Sequence, residues 1–158
     1  MYNHEPKNYQ CPFCRIVDGV EDEYVATNQE DVFYSDEDIT AFVASHSWPN
    51  NNGHVLIIPN EHIENIYSLP NRLSHKIHDF EKLIAIALKK IYKCEAVSSR
   101  QHNEPDGNQD VWHYHLHVFP RYKNDRLYEL NQKKQLVDEK IRKDYFLKLM
   151  KHFKAIKI

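Results

Sequence analysis

The sequence predicts an α+β fold: a mainly antiparallel sheet of about five strands, one long helix and a C-terminal helix. Three observations predict it. Short apolar runs of strand length are bounded by polar turn clusters. Two longer stretches repeat apolar residues at three- and four-residue steps, the period of an amphipathic helix. The strands are joined by tight turns, and the helices stand apart from them as if packed on one face.

Val32-Phe33-Tyr34 and Ile39 to Val43 read as strands separated by the turn Ser35-Asp36-Glu37-Asp38. Trp48-Pro49-Asn50-Asn51-Asn52-Gly53 is loop chemistry. It feeds an aliphatic strand, His54 to Ile58, stopped by Pro59, after which Asn60 is placed to cap a short helix through Ile66. Pro70 and Asn71 open the longest helix, whose stripe is Leu73, Ile77, Phe80, Ile84, Ala87, Leu88 and Ile91. A strand over Ala96 to Arg100 follows. The polar loop His102 to Asn108 then leads into a strand from Val111 to Phe119, ended by Pro120. Ile141, Tyr145, Leu149, Phe153 and Ile156 mark the terminal helix, and Cys94 is packed at the end of the long helix stripe.

A chain of 158 residues suits one compact domain with a core that needs no covalent staples. Twenty-one Lys and Arg stand against 23 Asp and Glu, so the net charge of -2 gives no electrostatic reason to expect a nucleic-acid partner. Positive charge crowds the last quarter, from Lys133 and Lys134 to Lys154 and Lys157, and reads as a solvated helix face. Three cysteines are too few for a disulfide framework. Met1 to Gln10 is too polar for a signal peptide, and the longest apolar run, Leu83 to Leu88, is far short of a membrane span. A cytoplasmic location, with no membrane partner, is the default expectation.

The most informative stretch is Trp112-His113-Tyr114-His115-Leu116-His117-Val118-Phe119-Pro120. On a strand, side chains alternate between faces, so the three imidazoles share one face while Tyr114, Leu116 and Val118 enter the core. Imidazoles about 7 Å apart along one face can each touch a different atom of one small ligand. The competing readings are a solvated polar face and a metal-binding triad. Cys11 and Cys14 form a C-x-x-C, which fits a zinc half-site, a redox pair or two buried thiols.

His-Tyr-His-Leu-His-Val-Phe resembles the signature of the histidine-triad family. Gly53 to Pro59 with His62 resembles the family's second block, and Gln109-x-Val111 leads into the triad as the family does. Cys11-Pro-Phe-Cys14 resembles its zinc-carrying bacterial branch. The resemblance spans about residues 11–122. It leaves a tail over residues 1–10 and a C-terminal helical extension, residues 123–158, packed on the same domain.

The resemblance implies that His115 is the nucleophile of a nucleotide hydrolase or nucleotidyl transferase. Its substrate would be a dinucleoside polyphosphate or nucleoside phosphoramidate, cleaved at the α-phosphate through a nucleotidyl-histidine intermediate. It implies accessory roles for His117 and His54 near the phosphate, phosphate contacts from Asn103 and Gln109, and Phe42 lining the nucleoside pocket. It further implies structural zinc on Cys11, Cys14, His62 and His113, and a homodimer. The chemistry agrees, since a neutral imidazole is a good nucleophile toward phosphorus near neutral pH.

Two departures from the family pattern stand out. Ala44-Ser45-His46 offers neither carboxylate nor amide where the ribose hydroxyls are usually held, and Asp110 replaces the Ser or Thr after the glutamine. Two rivals stay open: a metal-dependent hydrolase using the triad as ligands, and a non-enzymatic nucleotide-binding regulator. Turnover assays and chelation separate them.

Overall fold

A computed structural model describes residues 2–156, less the side chain of Asn131; Met1, Lys157 and Ile158 lie outside the described residues. A short helix α1 (Pro12–Val17) precedes strands β1 (Val32–Ser35) and β2 (Ile39–Val43). After them come a two-residue strand β3 (His46–Ser47), β4 (Val55–Pro59) and the long helix α2 (Asn71–Ile91). Strands β5 (Ala96–Gln101) and β6 (Leu116–Arg121), the short β7 (Gln135–Leu136) and helix α3 (Glu139–Ile156) complete the chain. The main sheet is five-stranded in the order β1-β2-β4-β6-β5, and every pairing is antiparallel. The α+β class and the strand count therefore match the expectation.

Alternation along the strands divides the core into two faces. Ile39, Ala41 and Val43 of β2, Val55 and Ile57 of β4, and Leu116 and Val118 of β6 bury against α2 and α3. Phe42, Leu56 and Ile58 point the other way and bury against Phe13 and Ile16 of α1. The helices thus cover both faces, not one: α1, only six residues long, carries too short a pattern to read as an amphipathic stripe.

Other sequence expectations are corrected. No helix runs from Asn60 to Ile66. Asn60 spends its amide on the Asp36 carbonyl (2.7 Å) and accepts from the Thr40 hydroxyl (2.7 Å), which ties the β4 exit to the β1–β2 turn. Pro59 is the last residue of β4, which ends there as expected, whereas Pro120 does not stop its strand but lies one residue inside the end of β6. The β4–β6 ladder spans only Val55–Ile57 against Leu116–Val118, so each proline sits where its strand has a single neighbour and a missing N–H is tolerated. The stripe of α3 holds only in its middle. Leu149 and Phe153 are buried, whereas Ile141 and Ile156 are exposed. Arg142 is buried instead, with Nε 3.0 Å from Asp31, and fastens α3 to the start of β1.

Gly53 fixes the approach to the site. Its φ is +81°, and an added Cβ would lie 2.4 Å from the Tyr145 ring of α3. Left-handed backbone and overpacking each cost about 1–3 kcal/mol. Gly53→Ala is expected to lose about 2–4 kcal/mol in chemical denaturation. Unchanged stability would show that the turn relaxes freely.

Candidate active site and metal centre

The three histidines of the signature do not share one strand. β6 begins at Leu116, because both neighbours end there: β4 pairs back only to Ile57↔Leu116 and β5 only to Gln101↔Leu116. Upstream the chain bends, with the His113 N–H donating to the Val111 carbonyl (2.8 Å). His113 therefore turns toward α1, while His115 and His117 stay together, ring centroids 4.9 Å apart.

His115 is 2% exposed, and its ring meets the edge of Phe13. Its Nδ1 lies 2.7 Å from the His113 carbonyl. A carbonyl only accepts, so Nδ1 carries the proton and Nε2 keeps the lone pair. Burial pushes the His115 pKa below its ordinary value, and His117 further down for the same first reason. His54 is driven down to about 3, again chiefly by burial. All three are neutral imidazoles at physiological pH. His54 Nε2 stands 3.4 Å from His117 Nδ1, and the His54 ring stacks on Phe119 with centroids 4.6 Å apart.

These three histidines line one wall of a cleft of about 510 Å³. Phe13, Ile16, Val25 and Leu56 form an apolar side, and Ala44, Ser45 and His46 lie along it. Gln109 reaches the cleft, but its amide donates to the Glu64 carbonyl (2.6 Å) and accepts from the Glu104 N–H (2.9 Å). Phe42 is fully buried beneath Phe13, centroids 5.7 Å apart, and is not at the cleft wall. Asn103 is not at the wall either, since its Oδ1 accepts from the Ile66 N–H (2.9 Å).

The second cluster forms on the other side of His113. Ligand atoms of Cys11, Cys14, His62 and His113 all lie within 4.8 Å of one another. His113 Nδ1 is 3.4 Å from Cys11 Sγ, and His62 Nδ1 is 3.1 Å from Cys14 Sγ. The outer nitrogens are held in turn: His113 Nε2 donates to the Pro59 carbonyl (2.9 Å), and His62 Nε2 lies 2.9 Å from Glu5. Such outer bonds fix the tautomer that aims Nδ1 at a metal. The two thiols interact strongly, a hydrogen bond from Cys14 drawing the Cys11 pKa down and pushing that of Cys14 up. Two sulfurs and two imidazoles at this spacing fit tetrahedral zinc.

A family model described as the HIT domain matches residues 25–124. The chain belongs to the HIT, or histidine-triad, family. It is 31% identical over 112 residues to "Protein hit" of Bacillus subtilis, covering 71% of each chain. Its fold superposes on a Zn-bound histidine triad family protein from Mycobacterium smegmatis with a TM-score of 0.75 at 23% identity, covering 94% of this chain and 96% of that one. It also superposes on Plasmodium falciparum diadenosine triphosphate hydrolase with a TM-score of 0.68 at 16% identity, covering 98% and 90%.

Within this HIT chain the sequence reading missed several cleft residues. Trp48, Arg100, His102 and Lys134 all reach the cleft. Lys134 comes from the basic tail, carried over when β7 pairs with β3 (His46↔Leu136). It forms an ion pair with Asp110, so the carboxylate that departs from the HIT pattern is neutralised in place. Arg100 had a legible signal, because a strand residue shares its face with every second neighbour; only the partner strand's register was missing.

Proposed function

We infer that this HIT protein is a nucleotide hydrolase or nucleotidyl transferase that attacks an α-phosphate with Nε2 of His115. The observation that carries the reading is the His115 Nδ1 hydrogen bond to the His113 carbonyl, which leaves a neutral, fixed Nε2 lone pair beside two further imidazoles. The fold shared with a diadenosine triphosphate hydrolase supports it.

In the first step the Nε2 lone pair forms a bond to the α-phosphorus. The bridging P–O bond breaks, and its electron pair leaves on the departing phosphate oxygen. In the second step a water oxygen bonds to the phosphorus, the P–N pair returns to Nε2, and the water proton passes to solvent. If His54 Nε2–H donates to His117 Nδ1, His117 carries its own proton on Nε2 and donates it as a hydrogen bond to the developing charge. His54 is then a positioning residue that acts through His117.

Phe13, backed by Phe42, forms the nucleoside wall in this proposal, Ser45 and His46 face the sugar, and Gln109 and Asn103 shape the phosphate loop. Cys11, Cys14, His62 and His113 hold structural zinc, which when bound supplies cross-linking of α1 to the triad segment. The same proposal includes a homodimer, as the family resemblance implies, and the cytoplasmic location taken as the default expectation from the sequence.

The test is turnover of a panel of dinucleoside polyphosphates and nucleoside phosphoramidates by the wild type and His54→Ala. His54→Ala is expected to lower kcat by about 100-fold while KM changes little, the pattern of a contact that strengthens with developing charge. A raised KM with near-normal kcat would make His54 a substrate-binding residue. Binding without turnover by the wild type would favour a nucleotide-binding regulator.

A further inference from the structure

Arg100 is a cation in the wall of the cleft with no anionic partner among the described residues. The sheet register places Leu56, His117 and Arg100 in one row across β4, β6 and β5, because Leu56↔His117 and Arg100↔His117 are direct partners. All three line the cleft. Neighbouring strands lie about 4.8 Å apart, so Arg100 is one strand beyond His117 on the same face. The Arg100 guanidinium rests on the rings of Trp48 and Phe119, 4.6 Å from each centroid. Stacking fixes its plane but neutralises nothing.

Its Nε is buried without a hydrogen-bond partner, and among the described residues no carboxylate pairs with it. Asp110, the carboxylate of this cleft, is already held by Lys134. A half-buried guanidinium left without an anion is costly unless a ligand supplies one. Its planar fork suits phosphate oxygens. The anion that would complete it is a different phosphate from the one under attack, because Arg100 pairs in register with His117, and His115 lies two residues before His117 in the chain.

We propose that Arg100 is a specificity residue that binds the phosphates beyond the scissile bond, so that this enzyme prefers polyphosphate-linked nucleotides to nucleoside phosphoramidates. The proposal rests on His115 as the site of attack and adds the substrate class. A phosphoramidate carries no phosphate beyond the bond that breaks, and leaves the Arg100 fork unpaired. A dinucleoside polyphosphate fills it.

The experiment compares the wild type, Arg100→Gln and Arg100→Lys on diadenosine tetraphosphate and on an adenosine phosphoramidate. It also measures binding of inorganic tripolyphosphate to each protein by calorimetry. Arg100→Gln is expected to lower the ratio of kcat/KM for tetraphosphate over phosphoramidate by roughly 10- to 100-fold, the scale of a lost charge-assisted hydrogen bond. Tripolyphosphate affinity should fall by a similar factor, and Arg100→Lys should restore part of both. An equal loss on both substrates, or tripolyphosphate bound equally by wild type and Arg100→Gln, would overturn the proposal. If the wild type turns over neither substrate, the hydrolase reading fails, and tripolyphosphate binding still decides the role of Arg100.

Discussion

His115→Ala is expected to lose turnover by roughly 10⁴- to 10⁶-fold, the penalty for deleting a covalent nucleophile. No neighbouring group can replace it. His117 Nδ1 faces His54, and His113 faces the cysteines. The fold should survive. Because His115 is 2% exposed and its ring meets Phe13, the truncation leaves a small void worth about 1–2 kcal/mol, more than an exposed imidazole would cost. His115→Asn is the closer control, since its amide can still donate to the His113 carbonyl while offering no lone pair in place of Nε2. Rapid quench of the wild type with an α-labelled substrate should trap an acid-labile, base-stable phosphoramidate on the protein, and neither variant should trap any. Substantial turnover by both variants would move the chemistry elsewhere and favour the metal-dependent reading. Because burial holds the His115 pKa below its ordinary value, the unprotonated nucleophile should persist further into the acid range than an exposed imidazole would.

How much of this was legible in the sequence depended on whether the signal was local. β2 is bounded as its run of Ile39, Ala41, Phe42 and Val43 predicts, and α2 begins at Asn71 and buries the predicted stripe as far as Leu88. Both are decided by periodicity within the segment itself. The start of β6 was not, because a strand ends where its neighbours end, and the register lies in β4 and β5. The one-face reading of the triad failed for that reason, although the chemical division between His113 and His115 did not depend on it. Phe42 and Asn103 occupy positions that a motif can mark, but the motif is silent about Phe13 covering one and Ile66 engaging the other. Lys134 was illegible for a different reason. A lysine in a basic tail looks like every other until the two-residue pairing of β3 with β7 carries it to the cleft.

Purified protein is expected to carry about one zinc per chain, and Cys14→Ser should lose it. Four donors come from three places: α1 and its cap, the segment after β4, and the approach to β6. A metal holding them closes long loops that packing alone leaves to α1, whose core is the small group of Phe13, Ile16, Phe42, Leu56 and Ile58. Structural zinc supplies roughly 10 kcal/mol or more in peptides that lack a core. Here the larger core between the sheet, α2 and α3 includes none of the four donors, so metal loss should lower Tm by roughly 10 °C or more without unfolding the chain at room temperature. The effect should reach the chemistry as well. In the proposed zinc centre His113 would offer its ring to the metal while its carbonyl accepts from His115, so the group that orients the proposed nucleophile would belong to a metal ligand. Metal-depleted protein, assayed well below its Tm, should keep part of its turnover and still trap the phosphoramidate on His115. Complete loss of turnover with the fold intact, restored by added zinc, would make the metal catalytic. Metal-free protein with unchanged Tm and Cys11 disulfide-bonded to Cys14 would replace the zinc centre with a redox pair.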